Sequence, residues 1–245
     1  NTFNVDDVGY ASAAAAGLDG GSINPTGASV GTKQGFSILK YQGNGTAGAN
    51  ISHGLLEAPK LMIHKSLDQS RDWYTITTAV DGSADYLYLN TTAVANNSAV
   101  TAPTSSLMYF TSSVESNNNN ENYVVYMWHD VPGLQKFGSY VGNGDADGPF
   151  IELGFRPALL WIKRSSDGSN GWHIADVKRS PENMANEYLY ADTSGAEETN
   201  GSIDILSNGF KLRANAQTTN NSATYIYCAW AEAPTVNLYG GGANA

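Results

Sequence analysis

Tyr140-Val-Gly-Asn-Gly-Asp-Ala-Asp-Gly-Pro-Phe-Ile-Glu-Leu-Gly-Phe-Arg-Pro-Ala-Leu-Leu-Trp-Ile-Lys163 is the second version of a stretch the chain has already used once. The first is Tyr41-Gln-Gly-Asn-Gly-Thr-Ala-Gly-Ala-Asn-Ile-Ser-His-Gly-Leu-Leu-Glu-Ala-Pro-Lys-Leu-Met-Ile-His-Lys65. The match runs on in order. Trp73 falls opposite Trp172, Asp85-Tyr-Leu-Tyr-Leu-Asn-Thr91 opposite Glu187-Tyr-Leu-Tyr-Ala-Asp-Thr193, and Asn122-Tyr-Val-Val-Tyr-Met-Trp128 opposite Thr224-Tyr-Ile-Tyr-Cys-Ala-Trp230. A repeat of roughly 100 residues is longer than a solenoid or propeller unit of about 20–50 residues, so each copy is domain-sized. The copies keep strand residues, glycines and prolines and vary the loops between them, which describes a scaffold.

The repeated segments are short runs rich in aromatic and β-branched residues, separated by Gly, Asn and Pro, with no sustained helical period. They imply an all-β chain of two tandem antiparallel β-sandwich, jelly-roll-like modules. The modules are placed at 36–133 and 137–234, with a flexible tail over 235–245. Residues 1–35 read as an extended arm or linker: Ala11–Gly17 can form a turn of helix, but Gly20, Gly21, Pro25 and Gly27 interrupt the remainder of the segment. With few large apolar residues, the arm is expected to lie against another module or another subunit, or to remain loose. In the closing strands Val124, Tyr126 and Trp128 share one face and Tyr123, Val125 and Met127 the other, which implies a central strand packed on both sides. The Asn-rich tip Ser116–Glu121 reads as a solvent loop.

In 245 residues the net charge is -10, with no basic cluster. Nucleic-acid binding rests on Lys and Arg neutralising phosphates, so that class is set aside. No apolar run approaches the roughly 18 residues that span a bilayer, and no membrane partner is expected. The chain starts at Asn1 and reads as processed or as a piece of something longer. The one cysteine, Cys228, lies in an alternating strand and is expected to be a buried thiol.

Candidate chemistry is sparse. Asn143-Gly-Asp-Ala-Asp-Gly148 opens like a calcium loop, but the position that should carry a bidentate carboxylate is Gly154, and the first copy lacks the acids; a hydrated turn is the favoured reading. His53, His64, His129 and His173 have no metal-like spacing, and no cofactor or metal is expected. Asp176, Glu182 and Glu187 are acids of the kind a glycosidase pairs, without a pattern that singles them out. Trp73 and Trp172 are either sugar-stacking platforms or core anchors, the latter favoured. The loops that differ most from the first copy give the candidate ligand contacts: Asn143, Asp145, Asp147, Arg164 and Trp172.

The strings Gly142-Asn-Gly144, Gly154-Phe-Arg-Pro-Ala-Leu-Leu-Trp-Ile-Lys163, Trp172-His-Ile-Ala-Asp176, Ser207-Asn-Gly-Phe210 and Tyr225-Ile-Tyr-Cys-Ala-Trp-Ala-Glu232 resemble a repeat module of tailed-bacteriophage virion proteins, notably marine ones. Phe3–Tyr10 through Gly31–Phe36 looks like the linker joining such modules. The resemblance implies a non-enzymatic virion structural protein on the particle surface, as a tail or head fibre or capsid decoration. It also implies other virion proteins as partners, a homo-oligomer, commonly a trimer, and adhesion to host surface glycan or protein. A secreted carbohydrate-binding module and a glycan depolymerase are the other classes the residues allow.

Overall fold

A computed structural model describes residues 2–168 and 170–233, and the expected tail at 235–245 lies outside them. The regular structure of the described chain is nearly all strand, and the chain divides into two compact units. The first comprises residues up to Tyr88 and Asn96–Asp130; the second comprises Leu89–Ala95 and the described residues from Val131 on.

In the first unit the strands are Phe3–Val5 (β1), Val8–Tyr10 (β2), Gly27–Gly31 (β3), Phe36–Gln42 (β4), Asn50–Ser52 (β5), Leu61–Ser66 (β6), Tyr74–Thr77 (β7), Asp85–Tyr88 (β8), Asn96–Asn97 (β9), Leu107–Tyr109 (β10) and Asn122–Trp128 (β11), with one helical turn, Val114–Asn117 (α1). The second holds Gln135–Val141 (β12), Phe150–Glu152 (β13), Pro157–Arg164 (β14), Trp172–Asp176 (β15), Tyr188–Tyr190 (β16), Ile203–Leu206 (β17), Gly209–Leu212 (β18) and Thr224–Ala231 (β19).

The duplication is a duplication of topology. The larger sheet of the second unit runs β12-β19-β14-β15-β16, and the first unit contains the same order as β4-β11-β6-β7-β8. The smaller sheets correspond likewise, β10-β5 in one and β18-β13 in the other, where β17 adds a strand. In each unit residues from both sheets meet in one core: Ile51 and Met108 join Leu39, Tyr41, Met62 and Val125, and Ile151 and Phe210 join Leu160, Ile162, Tyr225 and Tyr227. Two layers closing over one apolar interior is the sandwich that alternating strands dictate.

The segment expected as an arm, residues 1–35, extends the first unit's larger sheet through β1, β2 and β3. β3 pairs antiparallel with β4, and β1 lies parallel to β3. Singly spaced apolar residues suffice for this because Phe3, Leu18, Ile23 and Val30 enter a core that the rest of the unit supplies. Asp6 fixes the entry by accepting from Thr32 N (2.8 Å) and Thr32 Oγ1 (2.6 Å).

Two local expectations are corrected. In β19 both faces are buried from Tyr225 to Ala229, Cys228 included. In β11 the face of Val124, Tyr126 and Trp128 is only half-buried, and there the rings cover one another, Trp128 stacking on Phe36 at 4.7 Å. The tip Ser116–Glu121 is not a solvent loop either, since Ser116, Asn117 and Glu121 are buried. Its polar side chains are satisfied by hydrogen bonds within the unit, Asn117 to backbone groups and Glu121 to Ser66 and Arg71.

Candidate functional site

Both units finish one end of the larger sheet with the same device. Tyr41 stacks on Tyr123 at 5.5 Å, and Tyr140 on Tyr225 at 5.2 Å. Each phenol donates into the loop before the closing strand: Tyr41 Oη to Ser116 O (2.6 Å), Tyr140 Oη to Thr219 O (2.6 Å), and Tyr225 Oη to Gln217 O (2.8 Å). At the centre sits a buried asparagine. Asn117 Oδ1 accepts from Asn44 N (2.9 Å) while its Nδ2 donates to Thr46 O (3.0 Å) and Thr111 O (3.1 Å). Asn220 repeats this with Asn143 N (3.1 Å), Asp145 O (2.7 Å) and Ala214 O (3.0 Å).

The Gly-Asn-Gly motif is explained by this lock. A Cβ on Gly43 would stand 2.3 Å from Asn118 O, and one on Gly142 2.1 Å from Asn221 O. The second glycines, Gly45 and Gly144, have φ of 67° and 69°, where side chains are strained. Only the second glycine of each motif is therefore required by backbone angle, and the first by close approach.

The residues singled out in sequence share this end of the second unit. Val141 pairs with Thr224, Arg164 with Tyr225, and Lys163 with Trp172, so the loops after β12 and β14 emerge together. Their side chains do not converge. Asn143 is committed to the turn, accepting from Asp145 N (3.0 Å) and donating to Asp147 O (2.9 Å). Asp145 accepts from Asp147 N (2.8 Å), and Asp147 pairs with Lys211 at 2.8 Å, with its side chain 84% exposed. Arg164 pairs with Asp167. Trp172 is 1% exposed and offers no face to a ligand, whereas its counterpart Trp73 is 37% exposed, with Lys65 Nζ 5.8 Å from the ring. Asp176 accepts from Arg179 Nε (3.1 Å) and from two backbone N–H groups of its own turn. Glu182 and Glu187 line an open groove of about 430 Å³ beside Arg179.

The second unit also carries a cavity of about 280 Å³ that sequence reasoning missed. Its walls include His173 from β15, Tyr188 and Tyr190 from β16, Glu198 and Asn200 from the following loop, and Thr218 from the loop before β19. Period-2 alternation puts His173 on the face that carries core Ala175, and Tyr188 and Tyr190 on the facing side of the neighbouring strand. His173 stacks on Tyr188 at 4.2 Å and meets Tyr190 edge-on at 6.2 Å. Tyr188 Oη lies 2.7 Å from Glu198 Oε2 and 2.5 Å from Asn200 Oδ1. The His173 ring is 2% exposed, and neither of its nitrogens has a hydrogen-bond partner. Burial pushes its pKa down to about 3, so the imidazole is neutral at any ordinary pH, with one N–H donor and one lone pair.

Register identifies the counterparts in the first unit. His64 pairs with Tyr74, and Tyr74 with Tyr88, as Ile162 pairs with His173 and His173 with Tyr190. Tyr74 thus holds the place of His173. It packs on Tyr86 at 5.5 Å and Tyr88 at 5.9 Å, and its hydroxyl hydrogen-bonds Ser98. The aligned copies carried this signal: Trp73-Tyr-Thr against Trp172-His-Ile exchanges a phenol for an imidazole beside a repeated Tyr-Leu-Tyr.

Fold and site define a duplicated β-sandwich protein whose copies share a scaffold, the second copy carrying the cavity beside His173. The chain belongs to the family defined as a domain of unknown function, DUF7483, whose model matches residues 8–234. No curated protein and no solved structure matches it.

Proposed function

We propose that the chain is a non-enzymatic structural protein of a phage particle, displayed on the virion surface as a fibre or decoration, that holds host-surface glycan through its second unit. The cavity beside His173 carries the adhesive part of this reading. Two tyrosine rings, an imidazole, a carboxylate, an amide and a hydroxyl around one small concavity are the mixture of apolar faces and placed polar groups that a sugar requires. The sequence resemblance to virion modules supports the particle. The net charge of -10 favours neutral over anionic surface polymers.

Immunogold labelling of purified particles with an antibody to this chain tests the placement. Label at fibre or tail tips is expected, and label spread over the head would make it a decoration. Unlabelled particles would overturn the virion reading and leave a secreted glycan-binding module. Adsorption to host cells, competed by the purified chain, tests the adhesion.

A further inference from the structure

We propose that the cavity beside His173 is a binding site for one neutral sugar ring, an uncharged hexose unit at the end or in the branch of a glycan. The proposal rests on the adhesion reading and names the ligand class of that site.

The unpaired imidazole is the primary observation. A buried polar group without a partner costs about 1–3 kcal/mol, and in native structures such a group calls for an explanation. Neutral His173, one of the residues that line the cavity, has one donor and one acceptor to satisfy. A sugar hydroxyl is donor and acceptor at once, so it can serve whichever imidazole nitrogen it reaches. An alkylammonium offers donors or nothing, and leaves the imidazole N–H unmet. A carboxylate offers only acceptors, leaves the lone pair unmet, and would face Glu198 with no Lys or Arg on the described walls to receive it.

The remaining walls fit the same ligand. Tyr188 and Tyr190, both lining the cavity, lie perpendicular at 85° with centroids 5.4 Å apart. An aromatic face matches the C–H side of a pyranose. Glu198 and Asn200 accept from hydroxyls at the rim, and Thr218 can donate or accept. A volume of about 280 Å³ is at the lower limit of the roughly 300–1,000 Å³ occupied by drug-sized ligands, and so suits a single ring.

Ligand-observed NMR on the full chain tests this, with the methyl glycosides of glucose, galactose, mannose and N-acetylglucosamine as neutral probes, glucuronate as the anionic probe and choline as the cationic one. Saturable binding of at least one neutral glycoside is expected, with choline and glucuronate silent. His173→Tyr, which installs the residue the first unit carries, should lower that binding by about 10-fold or more. Asn200→Ala, an exposed change that leaves the core intact, should weaken it as well. Failure of all four neutral glycosides overturns the proposal, as does tighter binding of choline or glucuronate, or neutral binding that survives both substitutions. If the neutral glycosides fail while the chain still competes particle adsorption, the adhesion reading stands and only this site falls.

Discussion

At the scale of single residues, three buried polar side chains hold the loop ends. Asn117 and Asn220 each spend one carbonyl and one amide on backbone groups of segments far apart in sequence. Alanine at either position strands several buried donors and acceptors, so Asn117→Ala and Asn220→Ala should each cost about 2–4 kcal/mol, read from urea denaturation. Glu121 is the third. Its carboxylate takes Arg71 in a two-point pair (3.0 and 2.9 Å) and Ser66 Oγ at 2.5 Å, and the Arg71 guanidinium draws its pKa from 4.5 down to about 2. A depressed acid stabilises the fold above its unfolded pKa, and that contribution fades as pH falls from about 4.5 towards 2. Glu121→Gln should therefore cost about 2–3 kcal/mol at pH 7 and almost nothing at pH 2, measured by denaturation across that window. Neither role was legible in the sequence. Ser116–Glu121 has the composition of a solvated loop, and only long-range geometry tells a buried asparagine with all its bonds made from an exposed one.

Among elements, the strands and their repeat were legible, because strand residues and turn glycines recur in register across roughly 100 residues, whereas the strand order rests on long-range pairing. Trp172 reads as a core anchor and is one, but the exposure of Trp73 was not legible. The two share one sequence pattern, and burial at one position with exposure at the other is decided by what surrounds each strand. The β14–β15 connection shows a similar divergence within a shared plan. Lys65 and Lys163 are counterparts, and both ammonium groups donate to a carbonyl of the next loop: Lys65 to Arg71 O, Lys163 to Asn170 O at 2.5 Å. Lys163 is fully buried and also donates to Thr92 O at 3.0 Å, tying Leu89–Ala95 into the second unit. Desolvation lowers its pKa from 10.5 to about 8. Between those values the unfolded chain holds a proton that the folded chain has released, so stability rises with pH, by at most about 3 kcal/mol over the whole interval. Comparing wild type with Lys163→Met from about pH 7.5 to about pH 10 isolates this group. The stability difference should move in favour of the wild type as pH increases, and a constant difference would mean that Lys163 stays charged.

For the molecule as a whole, the duplication supplies an internal control, because one backbone position carries Tyr74 in the first unit and His173 in the second. A scaffold position should hold the residue that packs best, whereas a binding position tolerates groups left unpaired until a ligand arrives. Tyr74 packs against two tyrosines, is hydrogen-bonded to Ser98 and lies in the core. His173 borders a cavity with both nitrogens unpaired. Exchanging them should have opposite consequences. Tyr74→His removes ring contacts and the Ser98 bond and should destabilise by about 2 kcal/mol. His173→Tyr removes two unpaired buried nitrogens, puts apolar area into existing space, and offers its hydroxyl Ser202, Thr218 and Thr219 on the cavity walls. It should leave stability unchanged or raise it, with any overpacking strain offset by the lost desolvation penalty. Denaturation midpoints for the two variants decide the matter. Losses of similar size at both positions would mean that His173 is a packing residue like its counterpart, and that the second unit keeps it for its fold alone.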